Sequence, residues 1–237
     1  MDTKIFMAEF VGTAIMILLG LGVCANCNLN KSGMKGAGAV QITIAWGLAV
    51  MLPAFIFANV SGAHFNPALT IALVADGSVP ASLLATYLTA QFAGAFVGAI
   101  IVYLLFKNHL DATEDGFTKR GVFCTGPSIR NSFSNLLSEI VGTFMLVFTI
   151  KGLAQVPKLD AGVGKLLIFG IIVSIGMSMG GLTGYAINPA RDLAPRIAHA
   201  ILPMNNKADS DFGYAWIPIV GPIIGGLLAV GLYHMIF

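Results

Sequence analysis

The sequence predicts an all-α membrane protein, with six transmembrane helices and two re-entrant half-helices arranged as an inverted repeat. Three observations predict it. Of the 237 residues, 57% are hydrophobic and only 10% are charged, whereas a soluble domain carries roughly 25% charged residues. Six largely apolar stretches reach spanning length, at about 5–23, 38–58, 82–106, 132–152, 163–182 and 214–236. The chain also repeats itself, because Glu9-Phe10-Val11-Gly12-Thr13 returns as Glu139-Ile140-Val141-Gly142-Thr143.

Taken in order, the first stretch resembles a signal peptide only superficially. Lys4 precedes an apolar run, but Glu9 interrupts it and no convincing A-x-A cleavage site follows, so it is expected to remain as a helix. The polar stretches at 24–37, 107–131, 153–162 and 203–213 are rich in Lys, Asp, Asn, Pro and Gly, as aqueous loops are, and none holds a soluble domain. Two further segments, about 66–76 and 188–201, are apolar but too short to cross a bilayer, and both begin Asn-Pro-Ala. They are expected to be half-helices.

The repeat continues through the chain. Ser61-Gly62 and Asn66-Pro67-Ala68 are matched by Thr183-Gly184 and Asn188-Pro189-Ala190, and Gln91 with Gly94 by Pro222 with Gly225. One channel-like domain over 1–237 is expected, with repeats at about 4–106 and 132–236 joined by the loop 107–131. Three spans per repeat is an odd number, so the second repeat enters from the opposite face and the half-helices dip in from opposite sides. Small residues four apart (Ala90, Gly94, Gly98; Gly221, Gly225, Ala229; Ala8, Gly12; Ser138, Gly142) suit close helix packing without solute contact.

Interrupted helices are tolerated at membrane depth only where they line a wet cavity or are buried in protein. Asn is a strong N-cap and Pro suits the first helical position, so Asn66-Pro67 and Asn188-Pro189 read as two helix starts near the bilayer midplane. Their positive ends disfavour cations and protons, and each Asn has an N–H to offer a passing hydroxyl.

Other chemistries find little support. A net charge of +2 without a Lys/Arg run offers no nucleic-acid surface. Cys24, Cys27 and Cys124 lack zinc-site partners and read as incidental thiols, and His109, His199 and His234 show no metal spacing. No catalytic residue, metal or cofactor is expected. Glu9 and Glu139 lie inside spans, where a carboxylate is a functional candidate by default. Their repeat equivalence favours buried structural carboxylates that accept hydrogen bonds from the re-entrant loop of each half.

With two Asn-Pro-Ala half-helices among six spans, the chain resembles the aquaporin superfamily (major intrinsic proteins) over roughly residues 4 to 236. Asp192 after Arg191, the basic Arg196, and Pro218-Ile219 in the last span make it similar to the bacterial glycerol-facilitator (aquaglyceroporin) branch. By position relative to the motifs, the resemblance implies a selectivity filter of Trp46, Gly176, Tyr185 and Arg191. Water-selective members place His at the position of Gly176, so glycine is expected to leave room for a carbon skeleton. Trp46 and Tyr185 would form an apolar wedge facing the donors of Arg191. Tyr185 replaces the Phe of the best-known facilitators, and its hydroxyl would narrow the filter or add a polar contact. The resemblance also implies a ladder of pore-lining carbonyls from Gly62, Ala63, His64, Phe65, Gly184, Tyr185, Ala186 and Ile187, with His64 pore-lining rather than gating.

The function this implies is passive diffusion of glycerol and similar small neutral solutes, with water, across the plasma membrane, by a homotetramer with a pore in each subunit. The same fold preferring undissociated lactic acid, dihydroxyacetone, urea or mainly water is the alternative. A secondary active transporter is a third reading, since inverted repeats and broken helices occur there too. The resemblance implies cytoplasmic termini. On that topology four Lys lie inside (Lys4, Lys151, Lys158, Lys165) and nine basic residues outside, so the positive-inside rule favours the reverse.

Overall fold

The computed structural model describes residues 2–159 and 161–237. In chain order it contains α1 (Thr3–Asn28), α2 (Gly38–Ser61), the half-helix α3 (Pro67–Ala75), a 3-10 turn leading into α4 (Leu84–Ala112), and α5 (Gly116–Phe123). The second half contains α6 (Ser132–Leu153), α7 (Ala161–Thr183), the half-helix α8 (Pro189–Ile201) and α9 (Ile217–Ile236). Six of these helices are long and apolar enough to cross a membrane, and no strand occurs among the described residues.

Helix starts follow local chemistry. Asp2 Oδ1 accepts the N–H groups of Lys4 and Ile5 at 3.0 and 3.1 Å, capping α1. Asn131 Oδ1 accepts from Ser134 N at 3.0 Å, capping α6. Each cap satisfies N–H groups that have no partner within the helix.

Glycines set the packing, and they set it twice. A methyl on Gly94 of α4 would stand 2.2 Å from the Phe10 carbonyl oxygen of α1, and one on Gly225 of α9 would stand 2.2 Å from that of Ile140 on α6. Glycine is required at both places because backbone meets backbone. Between halves, α2 packs on α7, while α3 lies against α9 and α8 against α4. The half-helices are thus each clasped by the other half. Outside, side chains such as Ile56, Leu104 and Leu105 are exposed, forming the apolar coat a bilayer requires.

The 107–131 segment is more structured than its polarity suggests. α4 runs on to Ala112, with Lys107 and Asp111 ion-paired one turn apart. α5 then forms where Asp115 caps the N–H groups of Phe117 and Thr118 at 3.0 and 3.1 Å. These bonds hold the Asp115 carboxyl below its usual pKa, with the Thr118 hydroxyl bond the largest contribution. Hydropathy alone reads such a short polar helix as loop.

Candidate functional site: a constricted path between two half-helices

The half-helices start by the same means. Asn66 Oδ1 accepts the Ala68 N–H at 2.9 Å, and Asn188 Oδ1 accepts those of Ala190 and Arg191 at 3.0 and 3.2 Å. Pro67 and Pro189 follow at the first helical position. Each amide also reaches across the repeat. Asn66 Nδ2 donates to the Ile187 carbonyl and Asn188 Nδ2 to that of Phe65, both at 2.8 Å. α3 and α8 are stitched together at their N-termini. A side-chain amide carries two N–H groups, so each Asn keeps one to offer the cavity that both line.

The two loops leading into these helices are strained in the same pattern. Ala63 and Phe65 have φ of 56° and 50°, and Tyr185 and Ile187 have φ of 36° and 44°. The left-handed region costs an L-residue about 1–2 kcal/mol, so something must hold these loops. Glu9 does so in the first half, accepting from His64 N at 2.9 Å, Phe65 N at 2.8 Å, Ser61 Oγ at 2.6 Å and Gln91 Nε2 at 2.8 Å. Glu139 does so in the second, accepting from Ala186 N at 3.0 Å, Ile187 N at 2.7 Å and Thr183 Oγ1 at 2.7 Å. Both carboxylates are buried.

With their N–H groups tied back, the loops leave the carbonyls of Gly62, Ala63, His64, Gly184, Tyr185 and Ala186 without a hydrogen bond from any described residue. Two members of the expected ladder differ. Ile187 and Phe65 carbonyls already accept the opposite Asn, and Phe65 does not line the cavity, because its ring packs on Gly12 of α1. His64 lines the cavity, stacked on Tyr87 with ring centroids 4.5 Å apart and its Nδ1 3.1 Å from Thr70 Oγ1.

Two cavities, about 170 and 330 Å³, share Trp46, Gly184, Tyr185 and Arg191 in their linings. Where the two cavities adjoin, Arg191 and Trp46 stand in contact and narrow the space between them. Arg191 Cζ lies 4.2 Å from the Trp46 ring centroid, and Nη1 reaches the Phe123 carbonyl at 3.5 Å. The guanidinium therefore rests on the indole face instead of standing across an open gap from it. Gly176 also differs from expectation. It lines the larger cavity, but a methyl there would come within 2.6 Å of Thr43 Cγ2 and 2.8 Å of Tyr185 Cζ. The missing side chain makes room for Thr43 and Tyr185 as much as for a solute.

Behind the constriction, Asp192 and Arg196 form a buried knot. Arg196 Nε lies 2.9 Å from Asp192 Oδ2, and its terminal nitrogens donate to the carbonyls of Thr125 at 2.8 Å and Ser210 at 2.7 Å. Asp192 Oδ1 accepts Thr125 N at 2.8 Å and its hydroxyl at 2.7 Å. Lys207 closes the far end of α8 by donating to the carbonyls of His199, Ala200 and Leu202 at 2.6–2.9 Å. The three cysteines are free, and burial, followed by the charge of Asp192, pushes the Cys124 thiol up to about 12.

The structure thus places Trp46, Gly176, Tyr185 and Arg191 on the wall of one cavity, and Asn66 and Asn188 on the wall of the other. Sequence reasoning missed Thr43, one helical turn before Trp46 on the same face, a spacing that could have found it. It also missed Phe123, whose carbonyl steadies Arg191, and Lys165, which lines the smaller cavity.

A family model described as "Major intrinsic protein" matches residues 2–234. The chain is 49% identical over 234 residues to the "Probable glycerol uptake facilitator protein" of Thermotoga maritima, covering 99% of this chain and 100% of that one. It is 49% identical over 227 residues to the "Glycerol uptake facilitator protein" of Streptococcus pneumoniae, covering 96% and 97%. Among solved structures it resembles the aquaglyceroporin from Plasmodium falciparum, with a TM-score of 0.85 and 30% identity over 97% of this chain and 94% of that one. This multi-pass membrane protein belongs to the major intrinsic protein family.

Proposed function

We propose that the chain is a passive channel of the cell membrane for glycerol and related small neutral solutes, with water following the same path and no chemical step. The observation that carries this reading is the pair of cavities meeting at Trp46, Tyr185 and Arg191, next to carbonyls that accept no hydrogen bond from a described residue. Trp46 and Tyr185 offer apolar ring atoms to carbon, and Arg191 offers donors to hydroxyls and a positive barrier to cations. The Asn-capped starts of α3 and α8 add two positive helix ends facing one another. The names of the T. maritima and S. pneumoniae relatives support glycerol as the solute.

Under this reading Trp46, Gly176, Tyr185 and Arg191 form the filter, and the chain is one domain of two inverted repeats assembling as a homotetramer. The termini are cytoplasmic. Of the nine outer basic residues that oppose this orientation by simple counting, Lys119, Arg191, Arg196 and Lys207 are engaged with backbone carbonyls or Asp192. They are fixed by the fold, so they weigh less as topology signals.

Stopped-flow light scattering on proteoliposomes tests the reading. Glycerol-driven reswelling is expected to be faster than in empty vesicles, and equal rates would reject it. A transporter coupled through Glu9 or Glu139 would accumulate solute above the outside concentration. Their hydrogen bonds to loop N–H groups argue instead for passive equilibration.

A further inference from the structure

Tyr185 sits in a seat made by two glycines. A methyl on Gly180 would approach its Cδ1 within 2.9 Å, and one on Gly176 its Cζ within 2.8 Å. The ring therefore lies along α7, with its hydroxyl end at Gly176 beside Thr43, whose Cγ2 crowds the same point at 2.6 Å. That hydroxyl is buried and makes no well-aligned hydrogen bond among the described residues, with the Thr43 side chain its nearest polar neighbour. Thr43, Gly176, Gly180 and Tyr185 all line the larger cavity together with Trp46 and Arg191.

The chemistry of this ring of side chains is lopsided. Arg191 and the Trp46 indole N–H only donate. The Thr125 hydroxyl, also on the cavity wall, is committed to Asp192. A solute hydroxyl that accepts from Arg191 must place its own proton on an acceptor; besides the free loop carbonyls of Gly184 and Tyr185, the side-chain acceptors on this wall are hydroxyl oxygens, which accept as well as donate.

We propose that the Tyr185 hydroxyl, with Thr43 beside it, is a second hydrogen-bonding pole of the constriction, taking the proton of a solute hydroxyl whose oxygen is held by Arg191. Tyr185 and Thr43 are then specificity-determining residues, and they favour solutes with a hydroxyl on every carbon over solutes with fewer. Gly176 and Gly180 are positioning residues that hold the ring against α7. The inference rests on the channel reading above and deepens it.

The test compares wild type, Tyr185→Phe and Thr43→Val in proteoliposomes, measuring glycerol, propane-1,2-diol and water permeabilities in each. Phe keeps the ring in its glycine seat and Val keeps the branched shape, so the fold is preserved, and an unchanged melting temperature in detergent checks this. Losing one uncharged hydrogen bond is expected to lower the glycerol to propane-1,2-diol ratio about three- to tenfold in Tyr185→Phe, with a smaller fall in Thr43→Val. An unchanged ratio in both variants, or equal loss of all three permeabilities, overturns the proposal while leaving a conducting wild type as a channel. A wild type no faster than empty vesicles overturns the channel reading and the proposal with it.

Discussion

The Asn188 side-chain amide donates to the Phe65 carbonyl at 2.8 Å, across 123 residues of sequence. The same side chain caps α8 through its Oδ1. Asn188 thus works as helix start, as clasp between the repeats and as the bearer of one free N–H in the cavity. Asn188→Ala removes the cap, worth about 0.5–2 kcal/mol, and a hydrogen bond of about 0.5–1.5 kcal/mol. The melting temperature in detergent is expected to fall, and glycerol permeability to fall with it. Asn188→Asp keeps the Oδ1 cap but loses the donor, so it should regain part of the stability and little of the conduction. Equal stability of Asn188→Ala and wild type would contradict this account.

Gly176 yields a prediction that runs against the simple picture of an open hole. A methyl there meets Thr43 Cγ2 at 2.6 Å and Tyr185 Cζ at 2.8 Å. Overpacking of this kind costs about 1–3 kcal/mol, and relief comes from tilting the Tyr185 ring into the constriction. Gly176→Ala is expected to cut glycerol flow by more than it cuts water flow, because the carbon chain needs the wider passage. Adding Thr43→Ser, which removes the Cγ2 contact, should restore part of the glycerol flow. Additive effects of the two substitutions would show that they do not share this space.

The carboxylates differ in a way the repeat conceals. Glu9 accepts from four groups, including Gln91 Nε2, while Glu139 accepts from three. A glutamine in either place presents an NH2 group to donors, stranding at least one buried loop N–H at about 1–3 kcal/mol. Glu9→Gln is therefore expected to lower the melting temperature more than Glu139→Gln. Both should equilibrate solute passively, and loss of gradient-driven accumulation in either variant would instead mark a coupling site.

The start of each half-helix was legible because Asn-Pro is a local signal, and the Glu pair was legible because the repeat printed it twice. The seating of Tyr185 was not. Whether glycine at 176 opens a hole depends on which side chains fill the space, and Thr43 and Tyr185 come from a different helix and a loop. The carbonyl ladder shortened for a similar reason, since the bonds to Phe65 and Ile187 come from the opposite repeat. Gln91 was visible only as a repeat position, and its bond to Glu9 spans 82 residues. Asp192 and Arg196 served as family markers, while the Thr125 donors that Asp192 accepts and the loop carbonyls that Arg196 binds are invisible to spacing.

At the C-terminus of α3, Asp76 sits where the helix dipole is unfavourable to an anion. Three elements compensate: Lys151 Nζ of α6 at 2.7 Å, His234 Nε2 of α9 at 2.9 Å, and the Ser78 hydroxyl. Burial raises the pKa of Asp76, but the Lys151 and Ser78 bonds and the charges of Lys151 and His234 outweigh it, and the carboxyl ends below its usual value of 3.8. A depressed carboxyl pKa adds stability that is complete above the unfolded value and disappears as pH falls through the folded one. Thermal stability attributable to this cluster is therefore expected to be flat from pH 5 to 8 as far as Asp76 is concerned. Asp76→Asn should melt lower than wild type at pH 7, and the two curves should converge below about pH 4. A gap between wild type and Asp76→Asn that persisted undiminished at pH 3 would show that the side chain acts through its shape and hydrogen bonds, not through its charge.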